Sequence, residues 1–252
     1  MALRSIGSYL RKFKKDYGEV IICCDSYPSW RKNIFPYYKA NRVRNKLVDW
    51  DKFREITLKI INELDDNFPY RVIKVDNAEG DDIMATLIME NSLEVINNGN
   101  KILIVSADKD LSQLQKYPNV EQYDPIFKKA KFKIPNPELF LKEKIIRGDK
   151  GDGIPNILSN DDTFISGSRQ TPITKSKVSK WIELNPEQIL DERSLRNYKR
   201  NERLIDFNFI PQSIKDDVIE KYKGQAGKKS NNILPYFIKN RLSKLFEDID
   251  IY

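Results

Sequence analysis

The sequence predicts an α/β protein, with a mostly parallel sheet flanked by helices and a helical region after it. Three observations carry this expectation. Through residues 1–135, short apolar runs alternate with amphipathic stretches, the order that lays covering helices over parallel strands. From residue 136 onward apolar residues recur mainly at helical spacing. No run approaches the ~20 apolar residues of a membrane span.

The elements follow in order. Residues 3–15 (LRSIGSYLRKFKK) read as an amphipathic helix without the apolar core of a signal peptide. Residues 19–24 (EVIICC) read as a strand, and a polar, aromatic stretch follows. A helix is expected over 50–67, with Phe53, Ile56, Leu58, Ile60, Ile61 and Leu64 largely at helical spacing. Residues 70–75 are the next strand, 82–91 continue a helix, 101–105 are a strand and 109–116 a short helix. Residues 120–134 suggest a strand and a hairpin. The expected C-terminal helices are 137–147, 176–184, 186–200, 211–223 and 231–247. Between the first two, residues 148–175 are rich in Gly, Ser, Thr and Asp and read as turns. The chain thus divides into an α/β domain (1–135) and a helical region (136–252).

Composition narrows the chemistry. The 252 residues contain no His and only two Cys, adjacent at 23 and 24. Consecutive strand residues face opposite ways, so no disulfide framework is possible, and a reducing cytoplasm (that of a host cell if phage-encoded) fits. Without His there is no Ser-His-Asp triad, no histidine base and no His-containing zinc site. Carboxylates, Lys, Arg, Tyr and bound metal remain.

Four acidic clusters punctuate the chain: Asp25, then Glu79-Gly80-Asp81-Asp82, then Asp108-Lys109-Asp110, then Asp149-Lys150-Gly151-Asp152. The first three follow predicted strands or open the helix after one, so they reach one crevice beyond the carboxyl ends of the sheet. The fourth joins them if the helical region folds back. Any one cluster alone has the look of a helix cap or a turn. Together, carboxylates without nitrogen or sulfur partners suit Mg²⁺, with Mn²⁺ as a substitute, and would repel one another without a counter-ion.

Net charge is nonetheless +7. Residues 26–48 hold no acid but six bases, namely Arg31, Lys32, Lys39, Arg42, Arg44 and Lys46, interleaved with Trp30, Phe35, Tyr37 and Tyr38. Bases follow phosphates and aromatics stack on exposed bases, so the stretch reads as a single-strand contact; a loop whose aromatics pack on the core is the alternative. Residues 159–180 combine eight Ser or Thr with Arg169, Lys175, Lys177 and Lys180, which suits contact with a duplex backbone.

These segments carry a resemblance. CCDS at 23–26, WRKNIFPYYKANR at 30–42, DNAEGDDIMATLI at 76–88 and ILIVSADKDLSQLQKYPNVEQYDP at 102–125 resemble the flap endonuclease family of 5′ nucleases, most of all its phage ribonuclease H branch. IIRGDKGDGIPN at 145–156, RLIDFNFIP at 203–211 and RLSKLF at 241–246 extend the similarity to the whole chain. The resemblance implies a PIN-like 5′-nuclease fold and a helix–turn–helix-like element over 148–180 that grips duplex. It implies removal of RNA primers and adjoining DNA from 5′ ends, with DNA and RNA–DNA hybrids or flaps as partners. It implies metal ligands at Asp25, Glu79, Asp81, Asp82, Asp108, Asp110, Asp149 and Asp152, two Mg²⁺ ions, an active-site lysine at Lys39 and a basic neighbour at Arg42.

Family members begin with a further strand, which carries another metal-binding aspartate and lies upstream of where Met1 falls here. A catalytically impaired, structure-selective DNA-binding relative is therefore a competing reading, and a PIN-like ribonuclease a third. The C-terminal RLSKLFEDIDIY suggests docking to a replication partner such as a sliding clamp or single-strand-binding protein. Otherwise Leu242, Leu245 and Phe246 are the apolar face of the last helix.

Overall fold

The computed structural model describes residues 2–43, 45–128, 133–229 and 232–252, with the side chains of 91–97 excluded. Helix α1 (Ala2–Tyr17) opens the chain. Strand β1 (Ile21–Cys24) pairs in parallel with β2 (Arg71–Lys74), Ile21 opposite Arg71. Strand β3 (Ile102–Val105) pairs in parallel with β4 (Val120–Tyr123), Ile102 opposite Val120. Among the described residues both strand pairs are parallel, where a mostly parallel sheet is expected, and they form two separate two-stranded sheets. Cys23 packs into one apolar cluster and Cys24 into another, the opposed directions that strand geometry requires.

Crossover helices alternate with the strands. Helix α3 (Trp50–Asn67) starts where Asp49 accepts the Lys52 N–H, a side-chain cap for an otherwise unpaired donor. Helix α4 (Gly80–Asn97) joins β2 to β3, and a 3-10 helix (Asp110–Lys116) joins β3 to β4. Strand β4 falls at the start of the strand and hairpin expected within 120–134; Asp124 forms an isolated bridge, turns run over 125–128, and the rest of the expected hairpin falls partly on 129–132, outside the described residues. A four-residue helix, α2 (Arg31–Ile34), sits in the stretch left without structure by its mixed polar and aromatic pattern.

In the second half, α5 (Pro137–Arg147) begins at an Asn136 cap with proline in its first turn, and α6 spans Lys175–Glu183. The single helix expected over 186–200 is two, α7 (Pro186–Ile189) and α8 (Glu192–Ile205), because Asp191 caps a new start by accepting the Ser194 N–H. Helix α9 is Gln212–Gly224. The last expected helix also divides, into α10 (Ile233–Lys239) and a 3-10 helix (Ser243–Ile251), at Arg241 with φ +53°. None of the described helices is long and apolar enough to cross a membrane.

Three buried apolar clusters hold these pieces, and each draws on both halves of the chain. Ile73, Val75, Ile83 and Ile104 pack with Phe207, Ile210 and Val218. Phe35 and Tyr38 pack with Ile146, Ile154, Ile157 and Val178. Phe68, Tyr70 and Val72 pack with Phe237 and Tyr252, against which Leu242, Leu245 and Phe246 lie partly buried. At about 1.5–3 kcal/mol per fully buried large side chain, these contacts are what folds the helical half back over the sheets. Two fully buried amides on α8 add direction. Asn197 donates to the carbonyls of Ile157 and Ser159, and Asn201 to those of Ile145 and Pro155, which fixes the 148–160 loop on that helix.

Candidate active site

Asp25 leaves the end of β1 and its Oδ1 accepts the Gly80 N–H at 2.6 Å, where α4 begins. Glycine lets the two elements approach closely there, since a Cβ would stand 3.2 Å from the Cys23 carbonyl oxygen and 3.3 Å from that same carboxylate. Asp108 follows β3 and accepts the Asp110 N–H at 2.8 Å. Gln122, buried on β4, holds this turn by donating to the carbonyls of Ser106 and Asp108 at 3.1 and 2.6 Å. The fourth cluster is a tight turn in which Asp149 and Ile154 exchange backbone bonds of 2.7–2.8 Å. Asp149 also accepts the Asp152 N–H at 3.0 Å, and Gly148 permits the turn at φ +68°, where an added Cβ would sit 2.3 Å from the Ile154 oxygen.

The basic segment docks on that turn. Lys39 N–H donates to the Asp152 carbonyl at 2.8 Å, Asn41 Nδ2 to the Lys150 carbonyl at 2.7 Å and Arg42 Nε to the Gly151 carbonyl at 3.1 Å. Side chains complete the contact: Lys39 Nζ lies 2.6 Å from Glu79 Oε1, and Arg42 pairs with Asp152 at 2.6 Å. The Tyr38 hydroxyl is 2.9 Å from both Glu79 and Asp152. Lys39 has φ +55°, a left-handed conformation uncommon for a non-glycine residue and concentrated at functional sites. A cation that the sequence reading missed, Lys144 of α5, bridges the other two groups, 2.8 Å from Asp149 Oδ2 and in contact with Asp110 Oδ1. In the sequence a lysine in the last turn of a helix reads as a partner of the helix dipole, which conceals this role.

The acids therefore fall on two sides with opposite electrostatics. Burial pushes the Asp81 carboxyl up to about 7, and Asp108, Asp25, Glu79 and Asp82 push it the same way. Burial also acts to raise Asp149, but Lys144 and the N–H groups of Asp152 and Gly151 outweigh it and hold that carboxyl below the usual range. Among the described residues no three acids or thiols are grouped closely enough to hold an ion together as they stand; lysine and arginine side chains pair with Glu79, Asp152, Asp110 and Asp149. The all-oxygen donor set and the uncompensated charge around Asp81 do fit a hard divalent cation.

Four predicted site residues take other places. Asp82 is fully buried; Arg31 reaches both of its oxygens at 2.7 and 2.9 Å, Trp30 Nε1 donates at 3.1 Å and the Glu79 N–H at 2.9 Å. Its lone pairs are taken by protein donors, so it is a structural anchor and not an open ligand. Arg31 and Trp30 are buried with it, and Tyr38 is buried in the second cluster, so none of the three presents a surface to nucleic acid. The reason is shared: a buried carboxylate demands charge and hydrogen-bond partners, and the aromatic segment supplies them. Tyr37 and Lys46 are exposed, Lys32 is half-buried with Nζ 5.5 Å from the Tyr27 ring, and Arg44 lies outside the described residues. Arg169, Lys175 and Lys177 are exposed, away from the acids in sequence and joined to them through the loop that α8 anchors.

A parallel α/β core with acids at the strand exits and a basic segment docked across them defines a nuclease of the 5′-3′ exonuclease family, and the chain belongs to it. Residues 1–144 match the 5′-3′ exonuclease N-terminal, resolvase-like domain, and residues 135–252 match the family described as T4 RNase H, C terminal. Ribonuclease H of Enterobacteria phage T4 is 36% identical over 99% of this chain and 85% of its own length. A 5′-3′ exonuclease of Buchnera aphidicola is 24% identical over 87% of the chain and 80% of its own length. Among solved structures, the T5 D15 protein co-crystallised with metal ions superposes with a TM-score of 0.57 at 17% identity, covering 88% of this chain and 92% of that one. The T5 D15 flap endonuclease in complex with DNA and metal ions gives 0.58 at 16% identity, covering 88% and 90%.

Proposed function

We propose that this nuclease is Mg²⁺-dependent and cleaves phosphodiesters at 5′ ends, flaps and RNA–DNA junctions, removing RNA primers and adjoining DNA. The observation that carries the reading is the docking of Lys39 and Arg42 on Glu79 and Asp152. Glu79 in turn acts on Asp81 together with Asp25 and Asp108, which supports a role for the two cations at a scissile phosphate. Bound Mg²⁺, as two ions, would lower the pKa of an attacking water and stabilise the leaving oxygen, a role no histidine is present to fill.

The chain's own residues do the rest. Asp25, Asp81, Asp108, Asp110, Asp149 and Asp152, with Glu79, supply oxygen ligands, directly or through water. Lys39 stabilises the charge that builds on the phosphate, and Arg42 orients it. Exposed Tyr37 and Lys46 meet the 5′ single strand, while Arg169, Lys175 and Lys177 hold the duplex backbone.

The test is cleavage of a 5′-labelled flap and of an RNA–DNA hybrid in Mg²⁺, with EDTA and Asp108→Asn as controls. Loss of cleavage in both controls is expected; cleavage that survives EDTA would overturn the metal assignment. One observation favours the second reading, a structure-selective binder with impaired turnover. Among the described residues the β1–β2 and β3–β4 pairs are not joined into one sheet. Junction binding with steep salt dependence and no turnover in Mn²⁺ would select it.

A further inference from the structure

The cations at the acidic site differ in what holds them. Lys39 and Arg42 belong to the segment that Phe35 and Tyr38 anchor in the second apolar cluster, and the Arg42 side chain is 57% exposed. Lys144 is different. Its side chain is 16% exposed, and the next two residues of its helix, Ile145 and Ile146, are buried in the second apolar cluster. The backbone of α5 is therefore fixed, and only the four-carbon stem of Lys144 can move its ammonium away from Asp110 and Asp149.

We propose that Lys144 is a resident counter-ion of the Asp110–Asp149 pair, and that it competes with a divalent cation for those carboxylates. This rests on the metal-dependent reading of the site. The competition is geometric. A Mg²⁺ or Mn²⁺ ligand oxygen stands about 2.0–2.2 Å from the ion. The oxygens that would approach so closely already accept the Lys144 ammonium, 2.8 Å away at Asp149. Ammonium and dication would then be near neighbours of like charge, weakly screened because the side chain is mostly covered. The Asp25–Asp81–Asp108 side has the reverse character: lysine and arginine pair with Glu79, Asp152, Asp110 and Asp149, and among the described residues none pairs with these three acids. Filling is therefore stepwise, first on that side, and at Asp110–Asp149 only as Lys144 swings out.

Lys144 is thus a positioning residue with opposite effects on two states. In the metal-free protein it holds the turn at Asp149 against the turn at Asp110. In the loaded protein it limits affinity for the second ion.

The experiment is a calorimetric Mn²⁺ titration of the full chain, with free Mn²⁺ counted by EPR, for wild type, Lys144→Met and Lys144→Arg. Wild type is expected to bind in a tight and a weak step. Removing the charge in Lys144→Met should tighten the weak step on the order of tenfold, the effect of ~1.4 kcal/mol, and leave the tight step near its wild-type value. Lys144→Arg should keep the weak step weak. An unchanged or weaker second step in Lys144→Met, a tightened one in Lys144→Arg, or a single step in wild type overturns the proposal. Absence of any Mn²⁺ binding by wild type overturns the metal reading as well. If Lys144→Met does not fold, the wild-type lysine ¹⁵N signal that Lys144→Arg lacks gives a second readout. Its loss of protection at the second step of a Mg²⁺ titration is expected, and its persistence with both steps complete overturns the proposal.

Discussion

Arg31 of α2 and Asp82 of α4 form a two-pronged ion pair with no access to solvent at the carboxylate, at 2.7 and 2.9 Å. Arg31 also donates through Nε to the Leu204 carbonyl at 2.8 Å, so one guanidinium ties α2, α4 and α8 together. The pair also reaches the site, since Arg31 lies 3.6 Å from Glu79 Oε2 and the Glu79 N–H donates to Asp82.

Breaking a buried pair from one side leaves an uncompensated charge, at about 3–5 kcal/mol. Arg31→Met should therefore lower the stability of the fold by that amount in urea denaturation. Asp82→Asn should also destabilise, by less, since the amide still accepts from Trp30. If Asp82→Asn folds as well as wild type and loses only metal affinity, the anchor role is wrong.

Asp81 should make the metal-free protein sensitive to pH. Its folded-state pKa is raised, to about 7, above the ordinary value, so its contribution to stability is fully present below pH ~4 and is lost as pH rises toward 7. Above pH 7 the ionised carboxylate should penalise the folded state by roughly 4 kcal/mol, an order-of-magnitude figure from that shift. In EDTA at pH 8, Asp81→Asn should raise the melting temperature. At pH 4 the difference should vanish. Equal stability of the two proteins at both pH values would remove the electrostatic picture of this side of the site.

Lys39→Ala should reduce kcat by about 10²-fold with little change in KM, the pattern of a group that acts on charge developing in the transition state. Its side chain is 23% exposed and outside the apolar clusters, so the thermal melt should stay near wild type. A loss confined to KM would make Lys39 a binding residue only.

Much of the candidate site can be read from the sequence because its acids follow the ends of parallel strands. Asp25 after EVIICC and Asp108 after KILIVSA needed only the strand pattern to be placed at one edge. The helices at 50–67 and 137–147 were equally legible, since Asp49 and Asn136 announce their starts. The aromatic segment was not. Trp30, Tyr37 and Tyr38 look alike in a string of letters, yet one is buried on Asp82, one is exposed and one lies between Glu79 and Asp152.

Local pattern alone thus determined that this chain is α/β, that it carries four sets of acids, and that a basic segment follows the first. Propensity, periodicity and capping are properties of neighbours in sequence, and they suffice for that. Which acid faces which cation was decided only by tertiary packing. Arg31 with Asp82 spans 51 positions, Arg42 with Asp152 spans 110, and Lys144 reaches Asp110 and Asp149 from a helix of the other half. A carboxylate becomes anchor or ligand according to the charge and burial brought to it by distant parts of the chain, and no local signal encodes that.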